Sequence, residues 1–446
     1  MKNNLKINLI NQLKILKKAL LYLNKKENNY CDSSLSYLDS LEPTPGYGLV
    51  KYWNEGIKKI PLFFFLTLRS LVISFYEYKF IKINKFNNYN YNYKNIIISW
   101  SRFNNFLKDG SYNDPYFNTN SKINNKCIWF LIHMDQKIPK KISNNIIIIK
   151  KELGKLNYIK FIFFFLNIKN LIININEIIH KQSHQTNIAH SIFNEFKHLL
   201  NKNVKKIMMP YEGQPFQNLI VEQSEKFNKN IKTIGFVHNF PPPLPTNLIY
   251  RSGSPSKIIV SGIDQKFCLK KYLGWSQKKI YVNKSSRFIE KNKKMSEKIF
   301  LPGYIDSINF IINNLNKIKL IYPNLNIKNF RIQNHPQKLK SPVHINLLKK
   351  IKKTLENQPQ KYNTKNEKIS IFVGSTGAII EALECDCSKV IQITEDSMMQ
   401  IYGGILYPNV NIKILDNNIY EYSLKKRGAS ISFGIRKITF NKYLKI

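Results

Sequence analysis

The chain has 446 residues and a formal net charge of +42 at pH 7. This length exceeds what one hydrophobic core usually organises, so we expect two domains of ordinary size. Only seven of the 70 basic residues are arginine, whereas proteins that read bases rely on the planar guanidinium group for bidentate contacts. The composition therefore argues against specific nucleic-acid recognition and predicts salt-sensitive attraction to anionic lipid headgroups and anionic substrates.

The first 26 residues show the pattern of a basic amphipathic helix. The leucines of one helical stripe are Leu9, Leu13, Leu16, Leu20 and Leu23. Such a helix predicts either docking on the chain's own domain or contact with a membrane surface. The later apolar run 62–76 is shorter than the roughly 20 residues of a transmembrane helix and contains Arg69, so we expect no membrane span.

The cysteines indicate a reducing compartment and no metal site. They are Cys31, Cys127, Cys268, Cys385 and Cys387. An odd, scattered set in a long chain does not describe a disulfide framework. The pair at residues 385 and 387 has no further ligands nearby at metal-binding spacing, so we predict no metal.

Three regions follow one another along the sequence. Residues 1–92 form a basic helical region, in which residues 79–95 read as a loop rich in Lys, Asn and Tyr. Residues 93–245 alternate short apolar strands with amphipathic helices, which is typical of a mainly parallel sheet covered on both faces. A proline-rich run at residues 241–245 marks a domain junction, and residues 246–446 repeat the alternation. The sequence predicts an α/β protein with two Rossmann-like domains that face a cleft.

The predicted elements locate the candidate site. The strands cover residues 95–100, 127–133, 145–149, 171–175, 206–209, 233–237, 257–260, 279–282, 298–301, 329–333, 369–373 and 389–393. The helices cover residues 188–200, 215–227, 265–273, 307–320, 345–356 and 377–384. Ligands bind outside the carboxyl ends of parallel strands, so the residues that follow these strands are the candidates.

The most informative strand end is the turn after residue 373. Gly374, Ser375, Thr376 and Gly377 join a buried strand to a helix. The two glycines let a phosphate approach the backbone, and the hydroxyl groups lie at the positive end of the helix dipole. The turn predicts an anion site, although small residues there also serve tight packing.

Two other strand ends carry side chains suited to phosphate chemistry. His335 can donate to a phosphate oxygen, Pro336 fixes the direction of the backbone, and Arg331 lies four residues earlier. Glu212 and Gly213 lie between a strand and a helix, where partial burial raises a carboxyl pKa toward the range of a general base. The alternative role of Glu212 is to cap the following helix.

Together these motifs resemble those of a known group of enzymes. Residues 211–213 (Tyr-Glu-Gly), 335–336 (His-Pro) and 375–376 (Ser-Thr) resemble, in order and placement, motifs of bacterial polysialyltransferases and lipooligosaccharide sialyltransferases. The wider resemblance, over roughly residues 200–400, is to surface-polysaccharide glycosyltransferases of the GT-B fold. That group usually has two acids before the glycine, whereas Tyr211 takes the first position here, which leaves the donor sugar open.

The resemblance implies an activity and its partners. A sugar would move from a nucleotide-sugar donor to a growing cell-surface polysaccharide or a lipid-linked glycan, without a cofactor or a bound metal. Residues 93–245 would bind the acceptor and residues 246–446 the donor. The enzyme would be cytoplasmic, with an anionic membrane surface as a possible partner and no specific nucleic acid.

The resemblance also implies roles for single residues. Glu212 would be the base, and His335 with Ser375 and Thr376 would neutralise the donor phosphate. The other implied donor-site residues are Arg331, Pro336, Gly374, Gly377 and Glu381, with Glu384 as a second ribose-binding acid. Gly213 and His238 are possible site residues, the latter because a similar Gly-aromatic-x-His element occurs in several polysaccharide transferases.

Other functions remain open on the sequence alone. A glycerophosphotransferase of the teichoic-acid type uses similar His-containing and Ser-rich elements and differs in its donor. A basic polymer-binding protein would explain the aromatic residues among Lys and Asn, such as Tyr89, Tyr91 and Tyr93. A third alternative is an inactive GT-B-like protein that serves in assembly.

Overall fold

The computed structural model describes residues 2–25, 79–84, 93–122, 127–152, 184–289, 294–303, 305, 307–335, 341–356, 368–396, 400–434, 442–443 and 445. The predicted strand 171–175 and the apolar run 62–76 lie outside these residues. Within them the chain is a mixed α/β protein built on two large, mainly parallel sheets. This confirms the prediction of an α/β protein with mainly parallel sheets.

The strands are numbered in chain order. They are β1 (Lys79–Lys82), β2 (Asn95–Ser101), β3 (Asn113–Asp114), β4 (Thr119–Asn120), β5 (Cys127–His133), β6 (Ile146–Glu152), β7 (Lys206–Pro210), β8 (Lys232–Phe236), β9 (Lys257–Val260), β10 (Ile280–Val282), β11 (Ser285–Ile289), β12 (Lys298–Phe300), β13 (Arg331–Gln333), β14 (Ile369–Val373), β15 (Lys389–Ile393), β16 (Val410–Asp416), β17 (Ile419–Leu424) and β18 (Phe433–Gly434).

The helices are numbered in the same way. They are α1 (Lys2–Lys25), α2 (His184–Phe196), α3 (Pro215–Phe227), α4 (Ile263–Tyr272), α5 (Ile308–Ile321), α6 (Pro342–Glu356) and α7 (Ala378–Cys385). None of the helices in the described ranges is both long and apolar enough to cross a bilayer.

The first sheet has the strand order β1-β6-β5-β2-β7-β8-β9-β10. In this spatial order, all neighbouring strands between β6 and β10 are parallel, and β1 joins one edge antiparallel to β6. Strand β5 is buried at every residue, as its unbroken apolar sequence requires in a sheet covered on both faces. The loop predicted at residues 79–95 is therefore wrong in its first part, because residues 79–82 form an edge strand whose backbone pairs with β6.

The first sheet continues past the proline-rich run. Strands β9 and β10 follow residues 241–245 in the chain, yet they pair side by side after β8. The predicted junction at residue 245 thus does not coincide with the change of sheet, which lies between β10 and β12. The prolines break the secondary structure locally, but the hydrogen-bonding edge of β8 remains available to a later strand.

The second sheet has the strand order β13-β12-β14-β15-β17-β16. Strands β13, β12, β14 and β15 are parallel, whereas β17 and β16 add an antiparallel hairpin. Parallel neighbours end at the same edge of a sheet. The turns after β12, β13 and β14 are therefore side by side.

Helix α1 packs its predicted apolar stripe against the rest of the protein. Leu9 and Leu16 are buried, and Leu13 and Leu20 are partly buried. Gln12 is also buried, and its Nε2 donates to the backbone carbonyl of Ile401 at 3.0 Å. The leucine stripe therefore faces protein, as the docking alternative predicts.

The C-terminal residues 428–434, here called the return segment, join elements of both sheets. The Glu384 carboxylate of α7 accepts the backbone N–H groups of Ser430 (2.8 Å), Ile431 (3.0 Å) and Gly428. Asp264 of α4 accepts the Ser430 hydroxyl at 2.7 Å. Since the return segment uses both carboxyl oxygens of Glu384, the ribose role expected of this residue is wrong.

The close packing of the return segment predicts a large effect of Gly262→Ala. A Cβ atom at Gly262 would lie 1.9 Å from the backbone oxygen of Ser430, so the return segment would have to move. We expect the free energy of unfolding to fall by about 3 kcal/mol, the upper end for overpacked sites. Urea unfolding followed by circular dichroism measures this loss. Gly303→Ala is the matched control, because its new Cβ would meet its nearest atoms at an ordinary 3.5 Å; equal stability of the two variants would contradict the assignment.

Candidate active site

Glu212 is held at the carboxyl end of β7 by its own backbone. Its N–H donates to Gln217 Oε1 at 3.0 Å, and Asn247 Nδ2 donates to its carbonyl at 2.7 Å. The next residue, Gly213, has φ of +67°, and a Cβ there would lie 1.9 Å from the Asn247 oxygen. Only glycine fits this turn, which fixes where the Glu212 side chain begins.

The Glu212 carboxyl group lies between Gln214 and His238. Gln214 Nε2 donates to Oε2 at 2.6 Å, and His238 Nε2 lies 3.3 Å from Oε1. The side chain keeps 36% of its surface exposed, so small molecules can reach it. Burial by the surrounding protein raises the pKa of Glu212, while the Gln214 hydrogen bond and the charge of Arg287 act in the opposite direction.

His238 follows β8 and is only 2% exposed. Its ring meets the ring of Tyr116 edge-on at 4.7 Å and lies 6.2 Å from that of Trp100. Burial lowers the pKa of His238 well below its ordinary value, and the nearby charge of Arg287 lowers it further. The imidazole is therefore neutral at physiological pH.

Asn239 and Arg287 determine which ring nitrogen of His238 carries the proton. Arg287 can only donate, and its Nη1 donates to Asn239 Oδ1. The amide group of Asn239 is thereby oriented with Nδ2 toward His238, where it donates to Nε2 at 3.1 Å. His238 Nε2 must then be the acceptor, and the proton of the neutral ring is on Nδ1.

This assignment places a proton on Glu212. Two lone pairs would face each other across 3.3 Å if Glu212 Oε1 were ionised beside an accepting Nε2. A neutral carboxyl group avoids this repulsion, and burial acts in the same direction by raising the pKa of Glu212. His238 Nδ1 is buried and lacks a hydrogen-bond partner among the described residues.

The loop after β2 supplies the aromatic wall of this site. Asp114 accepts the Tyr112 hydroxyl at 2.8 Å and the backbone N–H groups of Tyr116 (2.9 Å) and Phe117. These bonds hold Tyr116 over His238. Burial raises the pKa of Tyr116 to about 12, and the charge of Glu212 adds to the effect. The sequence pattern did not single out Tyr116, because its position over the ring of His238 depends on tertiary packing.

The turn after β14 has the geometry of an anion site. Gly374 has φ of +77°, which glycine adopts without strain and which turns the backbone toward α7. The Thr376 hydroxyl accepts the N–H of Ala378 at 3.2 Å. In the described part of the chain, the backbone N–H groups of Ser375, Thr376 and Gly377 have no acceptor. These N–H groups lie at the start of α7, where a negatively charged group is favoured.

His335 lies close to the same edge of the second sheet. It follows β13, and its ring lies 3.5 Å from where a Cβ of Gly303 would be. Pro302 in turn lies against Gly374. Buried His344 of α6 meets the Pro302 carbonyl through Nε2 at 2.8 Å and holds this turn in place. Sequence analysis did not identify His344, because a helical histidine carries no sign of its tertiary partner.

The two halves of the site meet at one backbone contact. A Cβ at Gly377 would lie 2.6 Å from the carbonyl oxygen of Phe240, two residues beyond His238. Two residues span at most about 7 Å, so His238 is close to the start of α7. Tyr402 and Tyr407 hold this segment, since their hydroxyl groups donate to the carbonyls of residues 241 (3.1 Å) and 242 (2.9 Å).

The remaining candidates are placed differently. Arg331 is exposed at the amino end of β13, in register with Lys298, so the structure does not bring it to the edge that carries His335. Glu381 lies in the first turn of α7 and is partly exposed. Pro336 lies outside the described residues. Among those described, no three His, Cys, Asp or Glu side chains are grouped as metal ligands.

Comparisons with known proteins give similarities to solved structures alone. No protein-family profile and no curated protein matches this sequence. A glycosyltransferase from Rickettsia africae ESF-5 is similar at a TM-score of 0.30 and 12% identity, over 70% of this chain and 86% of that one. The GtfA/B complex bound to UDP and GlcNAc is similar at a TM-score of 0.20 and 12% identity, over 47% of each chain.

The proton assignment is testable by nitrogen NMR. We expect His238 at pH 7 to be the neutral tautomer with hydrogen on Nδ1, because Asn239 donates to Nε2. Spectra of protein with ¹⁵N-labelled histidine report the tautomer, and His238→Gln identifies the signal. In Asn239→Ala the preference should weaken, whereas Asn228→Ala, at the exposed end of α3, should change nothing. A protonated Nε2 in the unaltered protein would contradict the assignment.

Proposed function

We propose that this chain is a glycosyltransferase that moves a sugar from a nucleotide-sugar donor to a growing cell-surface polysaccharide or a lipid-linked glycan. In this proposal the two sheets belong to two Rossmann-like domains of the GT-B type. The observation that carries it is the contact between Phe240 and Gly377. It brings a carboxyl group with a raised pKa next to a turn of free backbone N–H groups, which are the base and the phosphate site that such a transfer needs.

Glu212 acts as the base in its ionised form. It accepts the proton of the acceptor hydroxyl at Oε1, and the oxygen of that hydroxyl forms the new bond to the donor sugar while the bond from the sugar to the nucleotide phosphate breaks. Once Glu212 is protonated, the repulsion between Oε1 and the Nε2 lone pair of His238, 3.3 Å away, is removed. Proton uptake therefore relieves an unfavourable contact, which makes Glu212 a stronger base.

The turn at Ser375, Thr376 and Gly377 takes the departing phosphate. Its free N–H groups and the helix dipole of α7 stabilise the negative charge that develops there, and His335 adds a donor from the end of β13, on the far side of β12. These donors neutralise the phosphate without a metal or a cofactor. Trp100 and Tyr116, both partly buried, offer ring surfaces beside Glu212 for the acceptor.

The proposal includes a cytoplasmic location. In the described part of the chain, Cys127, Cys268, Cys385 and Cys387 form no disulfide bond. Thiols of this kind persist in a reducing compartment. The same site would also serve a glycerophosphotransferase, and the identity of the donor separates the two activities.

Replacing the base tests the catalytic half of the site. Glu212→Gln should lower kcat by about 10²- to 10⁴-fold, which is the usual contribution of a general base. The assay measures sugar transfer from a donor that carries the nucleotide found to bind. Since the pKa of Glu212 is raised, kcat/KM should increase with pH through that raised value. Arg287→Gln should move this increase to higher pH, because the Arg287 charge lowers the pKa.

Glu222→Gln serves as the control for this variant. Glu222 lies on α3, and its Oε1 pairs with Lys226 Nζ at 2.8 Å. Its substitution should leave the pH profile unchanged. Near-normal turnover of Glu212→Gln would rule out Glu212 as the base.

The phosphate half is tested by nucleotide binding alone. Thermal shifts with CMP, CDP, UDP and GDP should reveal one preferred nucleotide. Ser375→Asp should weaken its binding about 10- to 100-fold, because an exposed carboxylate in the turn repels the phosphate. Ser388→Asp is the matched control, since this exposed serine precedes β15 at the opposite edge of the same sheet. If no nucleotide shifts the melting temperature, the proposal fails.

A further inference from the structure

Helix α1 has a second face that the leucine pattern does not reveal. Its buried residues Leu9, Ile15, Leu16 and Ala19 pack against the protein. On the other side Ile7, Ile10 and Leu21 are 53%, 38% and 51% exposed. Successive residues of a helix are about 100° apart, so these three side chains share one face, opposite the docked leucines.

Lysines lie within and around this exposed apolar patch. Lys14 lies between Ile7 and Ile10 around the helix axis, Lys6 and Lys17 lie on one side, and Lys18 lies on the other. All four lysines are exposed, and α1 contains no Asp or Glu. We call the set of Ile7, Ile10, Leu21 and these four lysines the lysine-flanked face.

The neighbouring element extends the positive surface. Helix α1 contacts α4, and Leu20 lies 3.3 Å from where a Cβ of Gly274 would be. The last turn of α4 carries Lys270 and Lys271, both exposed, whereas the one acid of α4, Asp264, is buried. Lys270 and Lys271 therefore add exposed positive charge to the helix that contacts α1, and neither α1 nor α4 has an exposed carboxylate.

We propose that the lysine-flanked face binds the surface of a bilayer containing anionic phospholipids. A helix held parallel to the membrane buries a short apolar strip at the level of the headgroups, while lysines at its margins meet lipid phosphates. A nucleic acid would use the lysines but would gain nothing from exposed Ile7, Ile10 and Leu21. The apolar strip therefore favours lipid over a soluble polyanion.

Docking of the leucine stripe on the protein fixes which face of α1 can meet the membrane. Because Leu9 and Leu16 are buried against the protein, α1 need not leave its place to reach the membrane. The described residues that pack against α1 then lie on its side away from the lipid. This binding is independent of the proposed transfer reaction, and its failure would not affect that proposal.

Flotation of the full chain with phospholipid vesicles tests the inference. We expect binding to vesicles that contain phosphatidylglycerol, weakening as salt rises, and little binding to phosphatidylcholine alone. Lys14→Gln, Lys17→Gln and Lys18→Gln combined should weaken binding about 100-fold, since each lysine near an anionic surface contributes about fivefold. Ile7→Asn, Ile10→Asn and Leu21→Asn combined should weaken it at least about tenfold.

A matched triple variant separates this face from the general positive charge. Lys349→Gln, Lys350→Gln and Lys353→Gln remove the same charge from exposed positions of α6 and should leave binding nearly unchanged. Equal loss in both lysine variants would show a nonspecific charge effect and overturn the inference. Unchanged vesicle binding of the Ile/Leu variant would do the same. Melting curves of all variants confirm that losses do not come from unfolding.

Discussion

The contact between Phe240 and Gly377 is the constraint on which the candidate site depends. The two residues belong to segments that leave different sheets, and only a residue without a Cβ fits against the Phe240 carbonyl. The surrounding rings of Tyr402 and Tyr407 fill the space beside Phe240 and bind the proline carbonyls. Prolines lack N–H groups, so their carbonyls are the polar atoms that need partners here. The result is a stiff connection that keeps His238 near the start of α7.

A buried polar network explains how Glu212 is adjusted for proton transfer. Burial favours the neutral form of both Glu212 and His238, and the Arg287 charge offsets part of that effect on the carboxyl group. Asn239 transmits the donor character of Arg287 to the imidazole ring. No single residue of this network is unusual in sequence. Its chemistry comes from the chain of hydrogen-bond donors and acceptors that runs from Arg287 through Asn239 to His238, in a site with little water.

The same logic recurs where the return segment joins α4 and α7. Burial raises the pKa values of Asp264 and Glu384, and backbone and hydroxyl donors of the return segment compensate for the lost water. Here the carboxylates use their acceptor capacity on the protein itself. At Glu212, in contrast, part of the side chain stays exposed. A carboxylate whose hydrogen-bonding capacity is used by the protein is structural, whereas one with an exposed part is available for chemistry.

The sequence by itself determined the alternation of strands and helices and the three strand ends that carry Glu212, His335 and the turn at Gly374–Gly377. These features are local, since apolar periodicity and turn glycines act within a few residues. It also predicted the buried leucine stripe of α1. The membership of β9 and β10 in the first sheet was decided only by tertiary structure, because strand pairing depends on edges that are distant in sequence. Tertiary structure alone also decided the partnership of Glu212 with His238 and Arg287, the structural use of Glu384 and the position of Tyr116. Each of these depends on groups that long-range packing brings into hydrogen-bonding distance or screens from water.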